Sequence, residues 1–320
     1  MAGRALITGI SGQDGSYLAE LLLGKGYEVV GLVRGGAQRE LPLLEPIRDR
    51  LTLLPGDLLD SASLTDALAT IRPHELYHLA APTFVPSSWD DPTETITTIA
   101  TGTAALLAAA RGVDPGMRIW VTTSSEVFGD TDSSPQDERS AMRPRTPYGV
   151  AKLAAHGLVG TQRDHFGLFA CSGITYNHES PRRPERFVTR KITRGAAAIA
   201  LGRQDELVLG DTSATRDWCY ARDIVRGAWL ALQADAPADY VLASGTGRTV
   251  GELVDTAFRA AGADPVGRVR VDPAFVRPPE PVALVGNASR AREALGWRPE
   301  ISFEAMVDEM VRADLDALRA

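Results

Sequence analysis

Apolar residues in the first 175 positions follow two alternating periods, and this alternation predicts the fold class. Short runs rich in apolar and β-branched residues predict strands at 4–8, 28–33, 51–54, 75–81 and 117–123. The segment after the first strand places its large apolar residues on one helical face: Tyr17, Leu18, Leu21 and Leu22. Helices are also expected near 64–71 and 95–111. Strands and helices that alternate at this spacing predict a doubly wound parallel sheet of the Rossmann type.

The pattern changes after about residue 175. Proline-containing loops at 181–184 and 277–279 separate short strands from helices at 251–261 and 303–318. We therefore expect an α/β fold in two parts. Residues 1–175 form the doubly wound domain, and residues 176–320 form a smaller C-terminal α/β lobe, with some segments returning to the first domain.

Charge and cysteine content narrow the functional classes. The formal net charge of −7 argues against a nucleic-acid partner, because such proteins usually carry a basic face. The two cysteines, Cys171 and Cys219, provide neither a disulfide framework nor a Cys-x-x-Cys pattern, so no metal site is expected. The chain shows no N-terminal signal and no run of 18 apolar residues. We expect a cytoplasmic protein without a membrane span.

A glycine-rich turn follows the first strand and precedes the first helix. Its glycines are Gly9, Gly12 and Gly15. Such a turn lets the backbone approach a pyrophosphate, and the helix N-terminus offers free N–H groups to it. An ordinary tight turn would contain the same glycines, but the flanking strand and helix favour a dinucleotide cofactor. The spacing is typical of short-chain dehydrogenase-like folds.

The end of the second strand bears on which cofactor binds. NAD-specific sites usually carry an acidic residue here for the ribose 2′-hydroxyl, whereas Arg34 favours the 2′-phosphate of NADP. A solvent-exposed arginine without a ligand is the competing interpretation. After the third strand, Asp57 and Leu58 are placed to bracket the adenine, although Asp57 could equally cap the following turn.

The residues that could carry chemistry lie on a helix and at a strand end. Tyr148 and Lys152 share one helical face, and Lys152 is one of only three lysines. A nearby ammonium and the positive nicotinamide ring lower the pKa of a tyrosine, which can then act as a general base. Ser124 and Glu126 follow the strand at 117–123 and point to the same side. The carboxylate suits removal of a carbon-bound proton and protonation of a leaving hydroxyl, and a loop cap is the alternative for Glu126.

Several longer motifs carry a family resemblance. They are TGISGQDGSYL at 8–18, SSE at 124–126, PRTPYGVAK at 144–152 and NHESPRR at 177–183, with shorter matches at 187–192, 216–218 and 295–297. Together they resemble the GDP-mannose 4,6-dehydratases, a branch of the extended short-chain dehydrogenases, over nearly the whole chain. The resemblance implies that residues 1–175 bind NADP and that residues 176–320 mainly bind the nucleotide sugar, GDP-mannose.

The resemblance also implies an internal redox cycle. Tyr148 takes the proton of the sugar 4-hydroxyl while NADP⁺ accepts the C4 hydride; Glu126 removes the C5 proton, water leaves from C6, and the hydride returns to C6. Lys152 orients the ribose and supports the tyrosinate. Cofactor contacts are implied for Thr8, Gly9, Gly12, Gln13, Asp14, Gly15, Arg34, Asp57, Leu58, Leu79, Ala81, Tyr148, Lys152, His178 and Arg183. Substrate contacts are implied for Ser88, Ser124, Asn177, Val188, Lys191, Arg216, Arg277 and Glu280.

Two segments depart from the family's pattern. The family usually continues its second strand with Arg-Arg-Ser-Ser and a longer loop that reaches a neighbouring subunit's cofactor, whereas the loop at 34–39 is shorter and lacks the serines. We therefore expect a homodimer with a four-helix interface that includes the helix of Tyr148, and a tetramer is the alternative. Pro82, Thr83 and Phe84 stand where the family typically has Gln-Ser-His, so the sugar contacts there are expected to differ.

Other functions fit part of the pattern. A reductase acting on the 4-keto-6-deoxy product, or another nucleotide-sugar dehydratase or epimerase of the same fold, would share Tyr148 and Lys152. The run at 177–183 favours the dehydratase. A catalytically silent NADP-binding protein is a further alternative, and the intact tyrosine–lysine pair argues against it.

Overall fold

The computed structural model describes residues 3–36, 39–275 and 283–320. Its strands are β1 (Arg4–Thr8), β2 (Glu28–Val33), β3 (Leu51–Pro55), β4 (Glu75–His78), β5 (Arg118–Thr122), β6 (Phe169–Thr175), β7 (Asn177–Glu179), β8 (Leu207–Leu209), β9 (Thr215–Tyr220), β10 (Asp239–Leu242), β11 (Gly247–Thr249) and β12 (Val269–Val271). Seven of them form a parallel sheet in the order β10–β6–β5–β4–β1–β2–β3.

Helices cover both faces of this sheet. The helices of the described chain, some of which lie away from this sheet, are α1 (Gln13–Gly24), α2 (Ser61–Ile71), α3 (Ser87–Asp90), α4 (Pro92–Ile96), α5 (Gly102–Val113), α6 (Pro147–Phe166), α7 (Val188–Ala200), α8 (Ala221–Ala231), α9 (Val250–Ala261), α10 (Ser289–Leu295) and α11 (Phe303–Arg319). One apolar core joins α1 and α8 to the sheet, and another joins α2 and α5 to it. The expected doubly wound Rossmann fold is confirmed.

Several elements differ in length from their sequence predictions, and two of these differences lie beside the cleft described below. The strand expected at 75–81 ends at His78, because the chain then leaves the sheet. The helix expected at 95–111 corresponds to α4, a π-helical segment (Thr97–Thr101) and α5, which follow one another without a break over Pro92–Val113. This stretch is long and apolar enough to cross a membrane, a criterion that core helices of soluble proteins also meet. Its apolar residues have partners in the structure, since α5 packs against α2 and α6.

The residues after 175 build a second, smaller core and also return to the sheet. Helices α7, α9 and α11 pack on one another and enclose apolar residues from β8 and β9. Strand β9 also pairs with β7 and β11. Strand β10 is the edge of the seven-stranded sheet, and α8 packs against α1. The two-part division of the chain stays a prediction.

Candidate active site

A cleft of about 1310 Å³ opens at the carboxyl ends of the parallel strands. It includes the point between β1 and β4 where the strand order reverses, which is where doubly wound sheets bind ligands. Every site residue assigned from the sequence and described by the structure lines the cleft, except Ser88. Arg277 and Glu280 lie outside the described residues.

Ser88 lies behind the wall of the cleft. It is in the first turn of α3, is 2% exposed, and its Oγ donates a hydrogen bond to the carbonyl of Val85 at 2.7 Å. Val85 and Pro86 line the cleft in front of it. The hydroxyl therefore shapes the wall through Val85, and its direct contact with substrate stays a prediction.

The three glycines of the turn differ in whether the protein itself has room for a side chain at their positions. Gly9 has φ of +75°, a conformation that side chains rarely adopt. A Cβ on Gly15 would lie 2.2 Å from the carbonyl oxygen of Gly9. A Cβ on Gly12 would meet only that oxygen, at 3.4 Å, which is an ordinary contact. Gly12 also begins α1 without any side-chain cap, so the helix N-terminus faces the cleft uncapped.

Two motifs that are far apart in the sequence meet beside this turn. The carboxylate of Asp14 contacts His178 Nε2 at 2.7 Å and accepts from Gln13 Nε2 at 3.1 Å. Ser180 Oγ donates to Gln13 Oε1 at 2.8 Å. Burial opposes the charge of both members of the ion pair, but their attraction lowers the pKa of Asp14 and raises that of His178. The pair therefore holds β7 against the start of α1.

Tyr148 and Lys152 project from α6 into the cleft, and both are at least nine-tenths buried. Burial raises the pKa of Tyr148, and the charge of Glu126 raises it further, while a hydrogen bond with Ser124 lowers it. Among the protein's own groups, loss of hydration of the phenolate outweighs the nearby positive charge of Arg183. The lowered pKa that we expect with a bound nicotinamide ring stays a prediction.

Lys152 does not touch the tyrosine hydroxyl directly. Its Nζ donates to the carbonyl of Thr122 at 2.7 Å and lies 5.8 Å from the centroid of the Tyr148 ring. Burial lowers the pKa of Lys152 to about 8, and the charge of Asp14 partly opposes this effect. At neutral pH the side chain is therefore mostly an ammonium, in the middle of the cleft.

Ser124 and Glu126 lie where β5 ends. Ser124 begins a short 3-10 turn (Ser125–Val127), and its Oγ accepts from the backbone N–H of Glu126 at 3.2 Å. The side chain that caps this turn is thus that of Ser124. Glu126 is half-buried and lines the cleft close enough to Tyr148 to raise its pKa. A hydroxyl, a phenol and a carboxylate therefore share one wall.

Arg34 and Asp57, which the sequence assigns to the adenosine part of the cofactor, both line the cleft. Arg34 is exposed and lines the cleft together with Arg39. Asp57 lines the cleft and also accepts from the backbone N–H of Leu59 at 3.0 Å, so it caps the turn as well. Leu58, Leu79 and Ala81 complete this part of the lining.

The opposite end is built from β7, β9 and the start of α7. Asn177, Val188, Lys191 and Arg216 line it. The loop before α7 is held by Arg190, which donates to the carbonyls of Pro181 at 2.6 Å and Arg183 at 3.1 Å. Arg190 is in turn paired at 2.6 Å with Asp314, which is fully buried. This buried pair fixes the backbone that carries Arg183 into the cleft.

Comparison with known proteins decides the family. The family model described as GDP-mannose 4,6 dehydratase matches residues 6–310. The chain belongs to the GDP-mannose 4,6-dehydratase family. A relative from Arabidopsis thaliana named GDP-mannose 4,6 dehydratase 2 is 44% identical over 324 residues, covering 98% of this chain and 87% of the relative.

Solved structures of nucleotide-sugar enzymes share the fold. RMD from Pseudomonas aeruginosa complexed with NADPH is similar at 26% identity and a TM-score of 0.83, covering 98% of this chain and 99% of that one. DesIV, a dTDP-glucose 4,6-dehydratase from Streptomyces venezuelae with NAD and TYD bound, is similar at 25% identity and a TM-score of 0.85, covering 97% and 96%.

Several cleft residues of this family member were not assigned from the sequence. Among them are Thr83, Phe84, Arg186, Phe187, Asp211 and Ser213. The departure from the family's Gln-Ser-His at 82–84 had marked one of these segments as unusual. The others carry no local signal, because an arginine or an aspartate in a loop shows its direction only after the loop is folded.

Proposed function

We propose that this protein converts GDP-mannose to GDP-4-keto-6-deoxymannose and water. The observation that carries this proposal is Glu126, whose carboxylate lines the cleft beside the hydrogen-bonded pair of Ser124 and Tyr148. Oxidation of an alcohol needs only the tyrosine and a hydride acceptor. An additional carboxylate supplies the acid–base group that an elimination requires. The family and the Arabidopsis relative support the same substrate.

The cleft fits a nicotinamide dinucleotide. The uncapped N-terminus of α1 provides N–H donors for a pyrophosphate, and the space above Gly12 is open to it. Structures of similar enzymes with NADPH and NAD support this class of cofactor. We propose NADP, because Arg34 and Arg39 line the adenosine end and suit a 2′-phosphate. When bound, the cofactor supplies a reversible acceptor for the hydride at sugar C4.

Tyr148 and Ser124 act on the sugar 4-hydroxyl. The hydrogen bond with Ser124 favours the phenolate, and the charge of Arg183 favours it too, although burial opposes it. The ammonium of Lys152, 5.8 Å from the ring, adds positive charge in the same buried space. The phenolate accepts the proton of the 4-hydroxyl, and Ser124 holds the reacting oxygen by a hydrogen bond.

Glu126 performs the elimination. Once C4 is a ketone, the C5 proton is acidic, and the carboxylate of Glu126 removes it. The C5–H electron pair forms the new C5–C6 double bond as the C6–O bond breaks, and the carboxylic acid gives its proton to the departing hydroxyl. Glu126 is then ionised again and water is released. C6 receives the hydride that left C4, and C5 regains one proton, which balances the proton that Tyr148 took from the 4-hydroxyl.

The proposal is tested with Glu126→Gln in a single turnover with GDP-mannose and NADP⁺. The amide keeps the size of the side chain but cannot accept the C5 proton. We expect NADPH absorbance to appear while 6-deoxy product forms about 10²–10⁴ times more slowly than in the parent. Glu94→Gln removes another carboxylate that lines the cleft and is the matched control. Formation of 6-deoxy product at the parent rate by Glu126→Gln would show that another group eliminates water.

The reductase alternative is tested in parallel. The parent protein is supplied with NADPH and the 4-keto-6-deoxy sugar nucleotide, and NADPH oxidation is followed. A reductase would consume NADPH here and leave GDP-mannose unchanged, whereas the proposed dehydratase converts GDP-mannose with catalytic NADP⁺.

We also propose that the protein is a homodimer, in the cytoplasm as the sequence predicts. Its support is the pairing of α4 with α6, which leaves Ile96 41% and Val150 47% exposed on neighbouring helices. Apolar side chains on such a surface suit a four-helix interface with a second copy. Light scattering across a dilution series measures the assembly, and a tetramer that persists on dilution would contradict it.

A further inference from the structure

The loop before α7 and the first turns of α7 are rich in arginine, and most of these arginines are neutralised. Arg182 pairs with Glu20 at 2.5 Å, and Arg190 pairs with Asp314 at 2.6 Å. Arg183 lies 3.0 Å from the carboxylate of Glu179. These ion pairs connect the loop to its surroundings, so their charges are already balanced within the protein.

Arg186 differs from them. It is exposed and lines the cleft. Within the described part of the chain its contacts are with two aromatic rings, Phe84 at 5.2 Å and Phe187 at 5.7 Å from the guanidinium carbon. Its neighbour Glu185 is engaged by Arg194 at 3.1 Å. A positive charge therefore faces the cleft, and no carboxylate of residues 3–36, 39–275 or 283–320 pairs with it.

The rings of Phe84 and Phe187 both lie beside the guanidinium of Arg186. Phe84 comes from the chain after β4, and Phe187 is the N-cap residue of α7, so two separate segments contribute the rings. They meet edge to face, with centroids 5.5 Å apart and planes at 87°. Arg183 covers Phe187 at 3.6 Å. Aromatic rings at these distances attract the charge of the Arg186 guanidinium while leaving its N–H donors available to a ligand.

Exposed arginines also line the far end of the cleft. They are Arg34 and Arg39, and among the described residues neither forms an ion pair. Those two suit the 2′-phosphate of the proposed cofactor. Arg186 is on the wall that also carries Val188 and Lys191, so it suits a different anion.

We propose that Arg186, ordered by Phe84 and Phe187, binds the diphosphate of the nucleotide sugar and is a substrate-binding residue of this chain. The planar guanidinium forms paired, charge-assisted hydrogen bonds with phosphate oxygens. The start of α7 has no side-chain cap, so its free N–H groups favour an anion at the same place. The identity of the sugar nucleotide rests on the proposed function; the anion site itself rests on the geometry of the loop.

The test is the affinity for GDP alone, measured by calorimetry on the purified protein. Arg186→Gln should weaken GDP binding about tenfold, which is typical of the loss of one charge-assisted contact. Arg186→Lys keeps the charge without the planar group and should lose about threefold. Arg203→Gln removes an exposed arginine that does not line the cleft and should leave the affinity for GDP unchanged.

Steady-state kinetics and cofactor titrations test whether Arg186 contacts the sugar nucleotide or the cofactor. They also test whether the contact is already made in the ground state. With GDP-mannose, Arg186→Gln should raise KM about tenfold and leave kcat within about twofold, because the contact is equal in ground and transition states. Affinity for NADP⁺ should not change. Phe84→Leu, which removes the ring but keeps an apolar side chain, should weaken GDP binding by a smaller factor than Arg186→Gln.

Two results would overturn the proposal. One is an unchanged GDP affinity in Arg186→Gln, and the other is weakened binding of NADP⁺ with GDP unaffected, which would assign Arg186 to the cofactor. GDP binding requires no turnover. A parent protein that binds GDP through Arg186 but leaves GDP-mannose unconverted would therefore contradict the proposed function and support the anion site.

Discussion

The two ends of the cleft are built in different ways. At the end proposed to bind the cofactor, one continuous strand, turn and helix contributes residues 8–15 to the lining, and the uncapped start of α1 offers backbone N–H donors. At the substrate end, the groups are side chains from β7, β9, α7 and the loop after β4. Buried pairs such as Arg190 with Asp314 are needed to bring them together.

This difference predicts which changes each end will not tolerate. A backbone site is sensitive to added atoms, because the ligand lies directly against the main chain. A side-chain site is sensitive to lost charge, because its donors are at the ends of long side chains. The residues proposed to be catalytic lie between the two ends, where a change should affect turnover and spare both affinities.

The largest expected effect is on turnover, from a change to Tyr148 between the two ends of the cleft. Tyr148→Phe should lower kcat by a factor of about 10²–10⁴, because the proton of the 4-hydroxyl loses its acceptor. The hydroxyl is the only group removed, so affinities for NADP⁺ and GDP should stay at parent values. Single-turnover NADPH formation measures the effect. Turnover close to that of the parent would show that Tyr148 is not the base.

The second prediction tests the backbone end with two glycines that differ in their surroundings. Gly12→Ala adds a methyl group where the protein has room, so the fold should remain stable, but the methyl group enters the space of the pyrophosphate. We expect about 10–100-fold weaker NADP⁺ binding, as for other overpacked sites, with GDP binding unchanged. Cofactor titration and thermal unfolding of the same preparations measure both properties.

Gly15→Ala is the matched variant within the same turn. Its Cβ would lie 2.2 Å from a backbone oxygen, so the protein itself must shift. It should therefore lower the unfolding temperature, which Gly12→Ala should not. A Gly12→Ala protein with parent affinity for NADP⁺ would mean that the pyrophosphate does not approach this turn.

The third prediction concerns the buried ammonium of Lys152. Its pKa of about 8 lies below the usual 10.5, so the ammonium is present at neutral pH and is lost as pH rises through 8. Affinity for NADP⁺ should fall above that pH. The free energy of unfolding should instead rise with pH between about 8 and 10.5, because over that range the unfolded chain binds more protons than the folded one.

The free energy of unfolding rises by at most about 3 kcal/mol over that range, which is the free-energy equivalent of a pKa lowered from 10.5 to about 8. Lys152→Met should show neither pH effect. Denaturant unfolding of parent and variant at several pH values gives the difference, in which other titrating groups cancel. Identical pH profiles for the two proteins would show that Lys152 titrates normally.

The strand, glycine turn and helix at the proposed cofactor end could be predicted from the sequence because their determinants are local. Gly9, Gly12 and Gly15 lie within one turn, and the strand and helix around them have clear periodicity. The facing positions of Tyr148 and Lys152 follow from helical spacing alone. Their pKa values could not be inferred in the same way, since burial by distant segments determines the sign for Tyr148.

The substrate end was predicted only through family motifs. The resemblance named Asp14 and His178 separately, but the ion pair between them appears only when β7 lies against α1. Ser88 was assigned to the substrate, yet its hydroxyl points into the wall. Arg186 and Phe84 are far apart in the sequence, and their contact depends on how two loops fold. Residue type and spacing carry no information about such distant contacts.

The smallest expected effect is at the adenosine end, where side chains take over from the backbone. Arg34 is exposed there with Arg39 beside it in the lining, so two guanidinium groups share the proposed contact with the 2′-phosphate. Arg34→Asp should weaken NADP⁺ binding about tenfold, because one charge-assisted contact is replaced by repulsion that Arg39 partly offsets. NAD⁺ has no phosphate at this position, so its affinity should stay the same or improve. Arg203→Gln, outside the cleft, is the control. Fluorescence titration with both cofactors measures the ratio of their affinities. An unchanged ratio in Arg34→Asp would assign the contact with the 2′-phosphate to Arg39 instead of Arg34, the residue that the sequence predicts.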